Sequence, residues 1–407
     1  MASIGIAGGG IGGLTLALAC REAGLTDITV YEQAAQSEAL GAGVQLSPNA
    51  TRVLAALGLK GELSRVAFYP QAVHFRTWRT GYLIASRPLG EFSQARYGAP
   101  YYHVHRGDLH ALLLAAARAQ GVRVETGRQV HSAGEDAGGP WLRLDDAPVH
   151  HDVIVGADGI HSVVRGSLFG EAEPRFTGHV AWRGMVPARA LPDSFIPPTA
   201  TAWLGPARHF VHYYVRGGEL INFVGVVETD RWTGESWRQR SDPGELAEDF
   251  GGWNPMVRTL IDAAERSMAD ASCDGGVFKW ALYDRDPLPA WTRGNITLLG
   301  DACHPMLPYL AQGAAMAIED AWVLSRMLER WEDEPARGLA DYERYRRPRT
   351  ARVQLRSRAQ GDEFHLHERW SVLRRNFTLA VGSRFLPEVA MSRFDWLHGY
   401  DCVRGFE

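Results

Sequence analysis

Three glycines near the amino terminus, Gly8, Gly10 and Gly13, stand at G-x-G-x-x-G spacing inside "IGIAGGGIGGLTLALA". This spacing suits the cradling of a dinucleotide pyrophosphate. Gly8 permits a tight turn, Gly10 lets the backbone approach the phosphates, and Gly13 lets the next helix pack on the preceding strand. The free N–H groups of that helix then face the anion. Glu32, at the end of the next apolar run, is placed to accept hydrogen bonds from an adenosine ribose. No arginine follows it closely, which argues against a 2′-phosphate at this site. The turn alone leaves nicotinamide and flavin both open. The choice comes from "GNITLLGDACHPMLPYLAQGAAMAIED" near residue 300. There a strand, Ile296 to Leu299, runs into Gly300-Asp301, and a proline-punctuated loop leads to a helix starting around Gln312-Gly313. Asp301 is suited to accept bonds from a polyol chain. The helix opened by Gly313 and Ala314 aims its positive end at what lies before it, where a reduced, anionic flavin ring would be stabilised. A simple nicotinamide dehydrogenase needs neither feature.

The elements that position these residues are legible as patterns. Ser3 to Ala7 reads as a buried strand, Leu14 to Ala23 as a helix ending near Gly24, and Asp27 to Glu32 as a second strand. A right-handed crossover makes the two strands parallel. "SPNATRVLAALGL" and "HRGDLHALLLAAARAQG" read as helices, and "HDVIVGADG" as an apolar strand ending in a turn. From about Gly178 to Lys279 the pattern changes to short alternating strands, with "RGG" as a hairpin signal. The expected fold is α/β: a Rossmann-like dinucleotide-binding domain, an inserted antiparallel sheet and C-terminal helices. The nucleotide-binding part takes residues 1–72, 101–177 and 285–350. The inserted, substrate-binding part takes 73–100 and 178–284, and the C-terminal helices 351–407.

The totals narrow the function classes. A chain of 407 residues suggests two or three domains. A net charge of -4 gives no electrostatic reason to expect nucleic acid or an anionic membrane. The only lysines are Lys60 and Lys279, so Schiff-base chemistry has few starting points. Cys20, Cys273, Cys303 and Cys402 form no C-x-x-C pair and suit free thiols in a reducing compartment. Neither a signal peptide nor a transmembrane span is expected, and the expected location is the cytoplasm. No zinc-spaced Cys/His motif, P-loop or G-x-S-x-G elbow is present, and no metal is expected.

With "GGGIGG", "GADGIHSVVR" and "GDACHPMLPYLAQGAAMAIED" in that order, the chain resembles the single-component FAD-dependent aromatic hydroxylases over nearly its whole length. It is most similar to the salicylate hydroxylase, 3-hydroxybenzoate 6-hydroxylase and 6-hydroxynicotinate 3-monooxygenase group. The resemblance implies tightly bound, non-covalent FAD, with NADH or NADPH as the co-substrate that reduces it. It also implies reaction with O2 through a flavin C4a-hydroperoxide that attacks a phenolic aromatic acid. Carried over by motif, Gly8, Gly10, Gly13 and Glu32 hold the ADP half of FAD. Arg106 in "HVHRGDLHALL" corresponds to an arginine near the phosphates and ribityl chain. Asp158 in "GADG" corresponds to an aspartate linked to FAD and reductant binding; the alternative is that it simply caps the helix that starts near Ser162. Asp301 corresponds to the ribityl ligand, and Gln45 in "GAGVQLSPNA" lies where the family's loop passes the isoalloxazine.

Such a reaction needs a base to make the ring more nucleophilic. In "HFVHYYVRGG" a strand puts His209, Val211 and Tyr213 on one face and Phe210, His212 and Tyr214 on the other. The His209/Tyr213 pair matches a His and a Tyr four apart that the family places beside the substrate. His209 is expected to accept the phenolic proton, with Tyr213 sharing that bond or orienting the ring. His212 is the alternative base. His304 reads as a loop-shaping residue. Arg183 reads as a holder of a substrate carboxylate or nicotinamide phosphate, or as an ordinary ion pair.

Pro308 stands where 3-hydroxybenzoate 6-hydroxylases tend to carry glutamine, and Gln45 where 6-hydroxynicotinate enzymes tend to carry histidine. Together they lean towards salicylate-type chemistry: hydroxylation at the carboxylate-bearing carbon, with loss of CO2, to a catechol. Hydroxylation of the 3-hydroxybenzoate or 6-hydroxynicotinate type is the alternative. A flavin-dependent halogenase would need a W-x-W-x-I-P motif that is missing. A non-catalytic flavin-binding protein is the reading from another class. "HVH" at 103–105 and "HLH" at 365–367 read as ordinary, "RYRRPRTARVQLRSR" as a solvated helix face, and the apolar C-terminal stretch as helical packing or a subunit contact. The expected state is a monomer or homodimer.

Overall fold

The strand Ile4–Ala7 is buried at all four positions, as its unbroken apolar run requires of a central parallel strand. It lies in the middle of a five-stranded sheet ordered Ile296–Leu298, Val153–Gly156, Ile4–Ala7, Ile28–Glu32, Arg123–Thr126. Every adjacent pair in it is parallel. The computed structural model describes residues 2–35, 42–145, 147–170, 174–229, 242, 244–267 and 276–406; Cys273 lies outside them. Cys20, Cys303 and Cys402 are buried free thiols.

The helix after the glycine turn, Ile11–Glu22, starts earlier than the sequence pattern indicates. It packs between the sheet and the helix Gly313–Arg330, within one apolar core. The helices Pro48–Ala56 and Arg106–Ala119 form where expected.

A second sheet has seven strands: Phe278–Asp284, Arg175–Pro187, Leu220–Glu228, Arg208–Val215, Ala200–Gly205, Ala72–Thr77 and Leu83–Pro88, in that spatial order. The strands from Arg175 to Asp284 pair antiparallel throughout the described residues, as expected; the one parallel contact joins Ala200–Gly205 to Ala72–Thr77 of the earlier segment. The chain leaves this sheet after Pro88, builds much of the nucleotide-binding sheet, and returns. A long crossover of that kind allows a parallel contact, which a tight hairpin does not.

The arginine-rich run lies in a 30-residue helix, Pro335–Phe364, which includes Pro348. It runs unbroken across residue 350, where the sequence pattern places a boundary. The solvated-face reading also needs correcting. Arg346 is fully buried, with Nη1 donating to Glu319 (2.6 Å) and Nε to Asp320 (2.7 Å). Arg349 also donates to Glu319. Three shorter helices follow, Arg369–Phe385, Pro387–Ser392 and Asp395–His398. The first has no buried residue and exposes Trp370, Phe377 and Phe385. Among the described residues no helix is long and apolar enough to cross a membrane.

Candidate active site

The glycine turn has the tightness its spacing demands. A Cβ at Gly13 would stand 2.0 Å from the Gly8 carbonyl oxygen, and one at Gly8, where φ is +108°, 2.4 Å from that of Ala157. A Cβ at Gly10 would meet nothing within 4 Å, so that side is open to an approaching phosphate. Glu32 ends its strand with Oε2 accepting from Gly9 N and Oε1 from Ala34 N, both at 2.8 Å. A carboxylate has about four acceptor sites, so capacity for a ribose remains.

A cavity of about 490 Å³ lies between this turn, the loop around residue 301 and the seven-stranded sheet. Gly10, Gln45, Arg106, His209, Tyr213, Asp301, Gly313 and Ala314 all line it. Gly8, Gly13, Glu32 and Asp158 are not part of its wall. Asp158 does cap a helix: Oδ2 accepts from Val163 N (2.8 Å) and Val164 N (3.1 Å). Its Oδ1 is buried without a partner, and burial holds the carboxyl above its ordinary range.

Asp301 follows the strand Ile296–Leu298 and makes no hydrogen bond among the described residues. Although its side chain is open to the cavity, the enclosing protein raises its pKa, with Asp320 adding to the rise and His304 and Arg106 pulling it back. The loop is held from behind. His304 Nε2 is hydrogen-bonded to Asp320, which also receives Arg346. Gln312 Nε2 donates to Ser47 Oγ (2.9 Å), and Asn49 Nδ2 reaches both Gln312 (3.1 Å) and Glu319 (2.6 Å). His304 is thus a loop-shaping residue. An open turn, a carboxylate without a partner among the described residues and a helix start facing it fit FAD laid across these elements.

The opposite wall is the sheet. His209, Val211 and Tyr213 face the cavity together, as strand alternation requires. His212 does not; it is fully buried on the other side, against Trp203. Arg183 also lies off the cavity wall, with its guanidinium 4.9 Å from the Trp280 ring and 5.5 Å from the Phe278 ring.

His209 Nδ1 is 2.7 Å from His365 Nε2, and His365 Nδ1 is 3.1 Å from Glu228 Oε1. This chain fixes the tautomers. A carboxylate only accepts, so His365 donates from Nδ1 and accepts at Nε2, and His209 therefore donates from Nδ1. His209 Nε2 keeps its lone pair and has no partner among the described residues. Burial lowers His209 to about 3, with His179 adding to the effect. Burial and the fields of His209 and His179 lower His365 to about 2. Both are neutral at neutral pH. Glu228, with a side chain 39 % exposed, brings the chain to the surface.

The "HLH" reading needs correcting accordingly, since His365 is the partner of His209. The link carrying it lies between two C-terminal helices, where no local spacing signals the contact. His179, Glu228 and His365 each place one ligand atom within 4.8 Å of the others, as do Cys303, His304 and Asp320. His179 is also bonded through Nδ1 to the Tyr309 hydroxyl (2.7 Å).

Tyr213 is buried, with its hydroxyl held well above the ordinary phenol range, so it is a donor. His103 packs behind it, ring centroids 4.6 Å apart. Gln45 Oε1 accepts from the Tyr101 hydroxyl at 2.8 Å.

The family model described as "FAD binding domain" matches residues 1–357. A 3-amino-4-hydroxybenzoate 2-monooxygenase of Streptomyces platensis is 42 % identical over 401 residues, 98 % of this chain and 96 % of the relative. The chain belongs to the FAD-dependent aromatic hydroxylases. A 6-hydroxynicotinate 3-monooxygenase of Bordetella bronchiseptica is 38 % identical over 355 residues, covering 86 % of this chain and 89 % of the relative. The crystal structure of Klebsiella pneumoniae HpxO with FAD and uric acid superposes with a TM-score of 0.82, at 26 % identity, over 96 % of this chain and 97 % of that one. The hydroxylase is an FAD enzyme, and the non-catalytic reading falls.

Proposed function

We propose that this hydroxylase acts on an aminohydroxybenzoate or closely related hydroxylated aromatic acid, with 3-amino-4-hydroxybenzoate as the first candidate. Near-full-length similarity to an enzyme named for that substrate supports it. The observation that carries the reading is His209 Nε2, an acceptor on the cavity wall opposite the cofactor elements. FAD held along Gly10, Arg106 and Asp301 and reduced by NADH or NADPH would activate O2, one atom of which enters the ring while the other leaves as water. The protein's own residues do the rest. Tyr213 donates to and orients the ring substituent. His209 takes the phenolic proton at Nε2, which raises the electron density of the ring. Its low basicity means the proton does not stay there. The Nδ1 proton moves to His365, and the Nδ1 proton of His365 moves to Glu228. Val211, Val224 and Phe75 make the remaining wall apolar and limit water around the reacting atoms.

Salicylate-type hydroxylation with loss of CO2 is the second reading, favoured by Pro308 and Gln45. The deciding experiment is a screen of 3-amino-4-hydroxybenzoate, salicylate, 3-hydroxybenzoate and 6-hydroxynicotinate for stimulated NADH and NADPH oxidation, with product masses. One added oxygen with the carboxylate retained is the expected result. Added oxygen with the carboxylate lost would favour the second reading, and no stimulation by any of the acids would remove both.

The buried thiols suit a reducing cytoplasm. The exposed ridge of Trp370, Phe377 and Phe385 favours a homodimer over a monomer; light scattering decides this.

A further inference from the structure

Arg87 is a cavity-lining cation that neither the cofactor elements nor the base accounts for. It lies on the edge strand Leu83–Pro88 and lines the same cavity as His209 and Tyr213. Its guanidinium stands between two rings, 4.7 Å from the Phe75 centroid and 4.4 Å from that of Phe394. Among the described residues it makes no hydrogen bond and no ion pair. The acid whose charge acts on it, Glu363, is engaged elsewhere: Oε1 accepts from Arg356 (2.9 Å) and Oε2 from Gln360 (3.0 Å), and Arg356 and Arg393 oppose its effect. Burial lowers Arg87 only to about 10, so it keeps its charge at neutral pH. The neighbouring His398 is lowered to about 4, by burial first and then by Arg87 and Arg349, and adds no second charge. Arg106, the other cavity-lining arginine, opens the helix Arg106–Ala119 on the cofactor side, where its field reaches Asp301.

The sheet register places Arg87 relative to the base. Arg87 is paired with Val73, and Val73 with Ala200. One step beyond the Thr201–His212 pair, Tyr213 comes alongside Ala200. Arg87 and Tyr213 thus end one row across four strands, three strand spacings or about 14 Å apart at their backbones. Between them the row carries only Val73 and Ala200. Short side chains flanked by a cation at one end and a phenol at the other make a floor for a flat, anionic ring.

We propose that Arg87 binds the carboxylate of the aromatic acid, held by Phe75 and Phe394 with its fork towards the cavity, so that the ring hydroxyl is presented to Tyr213 and His209. This assignment rests on the hydroxylase reading and takes the carboxylate-holding role expected of Arg183. A guanidinium fork matches a carboxylate with two parallel hydrogen bonds, which a lysine cannot reproduce.

The test is a titration of the oxidised holoenzyme, followed by its flavin absorbance, with 3-amino-4-hydroxybenzoate and with its carboxamide. Wild type is expected to prefer the acid by about 10- to 100-fold. Arg87→Met keeps the packing between the rings and is expected to abolish that preference by weakening the acid alone, with FAD content unchanged. Arg87→Lys is expected to weaken the acid about tenfold and leave the amide unaffected; it decides the matter if the methionine variant does not fold. Equal binding of acid and amide by wild type overturns the assignment. So does a methionine variant with the wild-type preference, or a lysine variant that weakens both ligands alike. Product analysis separates the two layers. Arg87-dependent binding without ring hydroxylation leaves the anchor standing and removes the reaction. Hydroxylation by an Arg87→Met enzyme that still prefers the acid does the reverse.

Discussion

His209 and His365 are 156 residues apart in the chain, and their ring nitrogens Nδ1 and Nε2 meet at 2.7 Å. The contact joins the sheet that forms the cavity wall to the link between two C-terminal helices. Phe364, the neighbour of His365 in sequence, packs on the His209 ring at 5.2 Å. The two imidazoles are therefore held by the same small aromatic cluster.

His209→Ala is expected to lower hydroxylation by about 100-fold or more while FAD stays bound. His365→Phe keeps a ring at that position but removes the nitrogen that receives the proton. Its kcat is expected to fall roughly tenfold, with little change in KM for the acid or in the rate of flavin reduction. Stopped-flow reduction and steady-state turnover on the same preparations separate these effects. Full turnover by the His209 variant at neutral pH would exclude it as the base.

Asp301→Ala is expected to weaken FAD retention, because it removes the carboxylate that would accept from the polyol chain. A charge-assisted hydrogen bond of about 1.5–3 kcal/mol corresponds to a Kd raised roughly 10- to 100-fold. Flavin content after dialysis measures it, and unaltered content would count against the role.

Gly43→Ala tests how closely the strand Gly43–Leu46 approaches Tyr213. A Cβ at Gly43 would lie 2.6 Å from the Tyr213 ring and 2.9 Å from Asn222, whose Oδ1 accepts from Gly43 N at 2.8 Å. The tyrosine must shift. The expected result is turnover reduced about tenfold or more with FAD retained; wild-type kcat would show that the tyrosine's position is not critical.

His212 gives a pH prediction outside the cavity. Both of its ring nitrogens are buried without partners, and burial, with Arg76 adding, lowers its pKa to about 3. Between the ordinary value of 6.5 and that folded value, the unfolded chain binds a proton that the folded chain does not. Stability therefore falls as pH drops below 6.5, by up to about 1.4 kcal/mol per pH unit from this one group. His212→Leu is expected to keep its Tm at pH 7 and to lose less than wild type between pH 7 and 5. A parallel decline in the two proteins would reject the explanation.

Backbone requirements made the cofactor side legible in sequence. A tight turn demands glycines at fixed spacing, and a helix start before an anion demands small residues, so Gly8, Gly10, Gly13, Gly313 and Ala314 could be found from local pattern. Alternation along one strand was enough to put His209 and Tyr213 on one face and His212 on the other. Arg87 left no such signal, because the residues that define its surroundings come from Phe75 and Phe394. The burial of Arg346 was hidden for the same reason: its counter-ions, Glu319 and Asp320, lie on another helix, and a run of arginines looks solvated until that helix is packed against it. The parallel contact of Ala72–Thr77 follows from where the returning chain enters the sheet, which no local stretch encodes.

The bond between His209 and His365 also resolves a conflict between shelter and exit. Oxygen transfer to a ring is favoured where bulk solvent cannot enter, yet the step that ionises the ring must pass one H+ out of the cavity, and the release of neutral product must bring one back. Two imidazoles and a surface carboxylate can export that charge by exchanging N–H bonds in place, so no water file has to pass through the apolar wall. The charge can then move without water travelling the same path, and the share of turnovers wasted as hydrogen peroxide is expected to rise in His365→Phe, measured as peroxide formed per NADH oxidised.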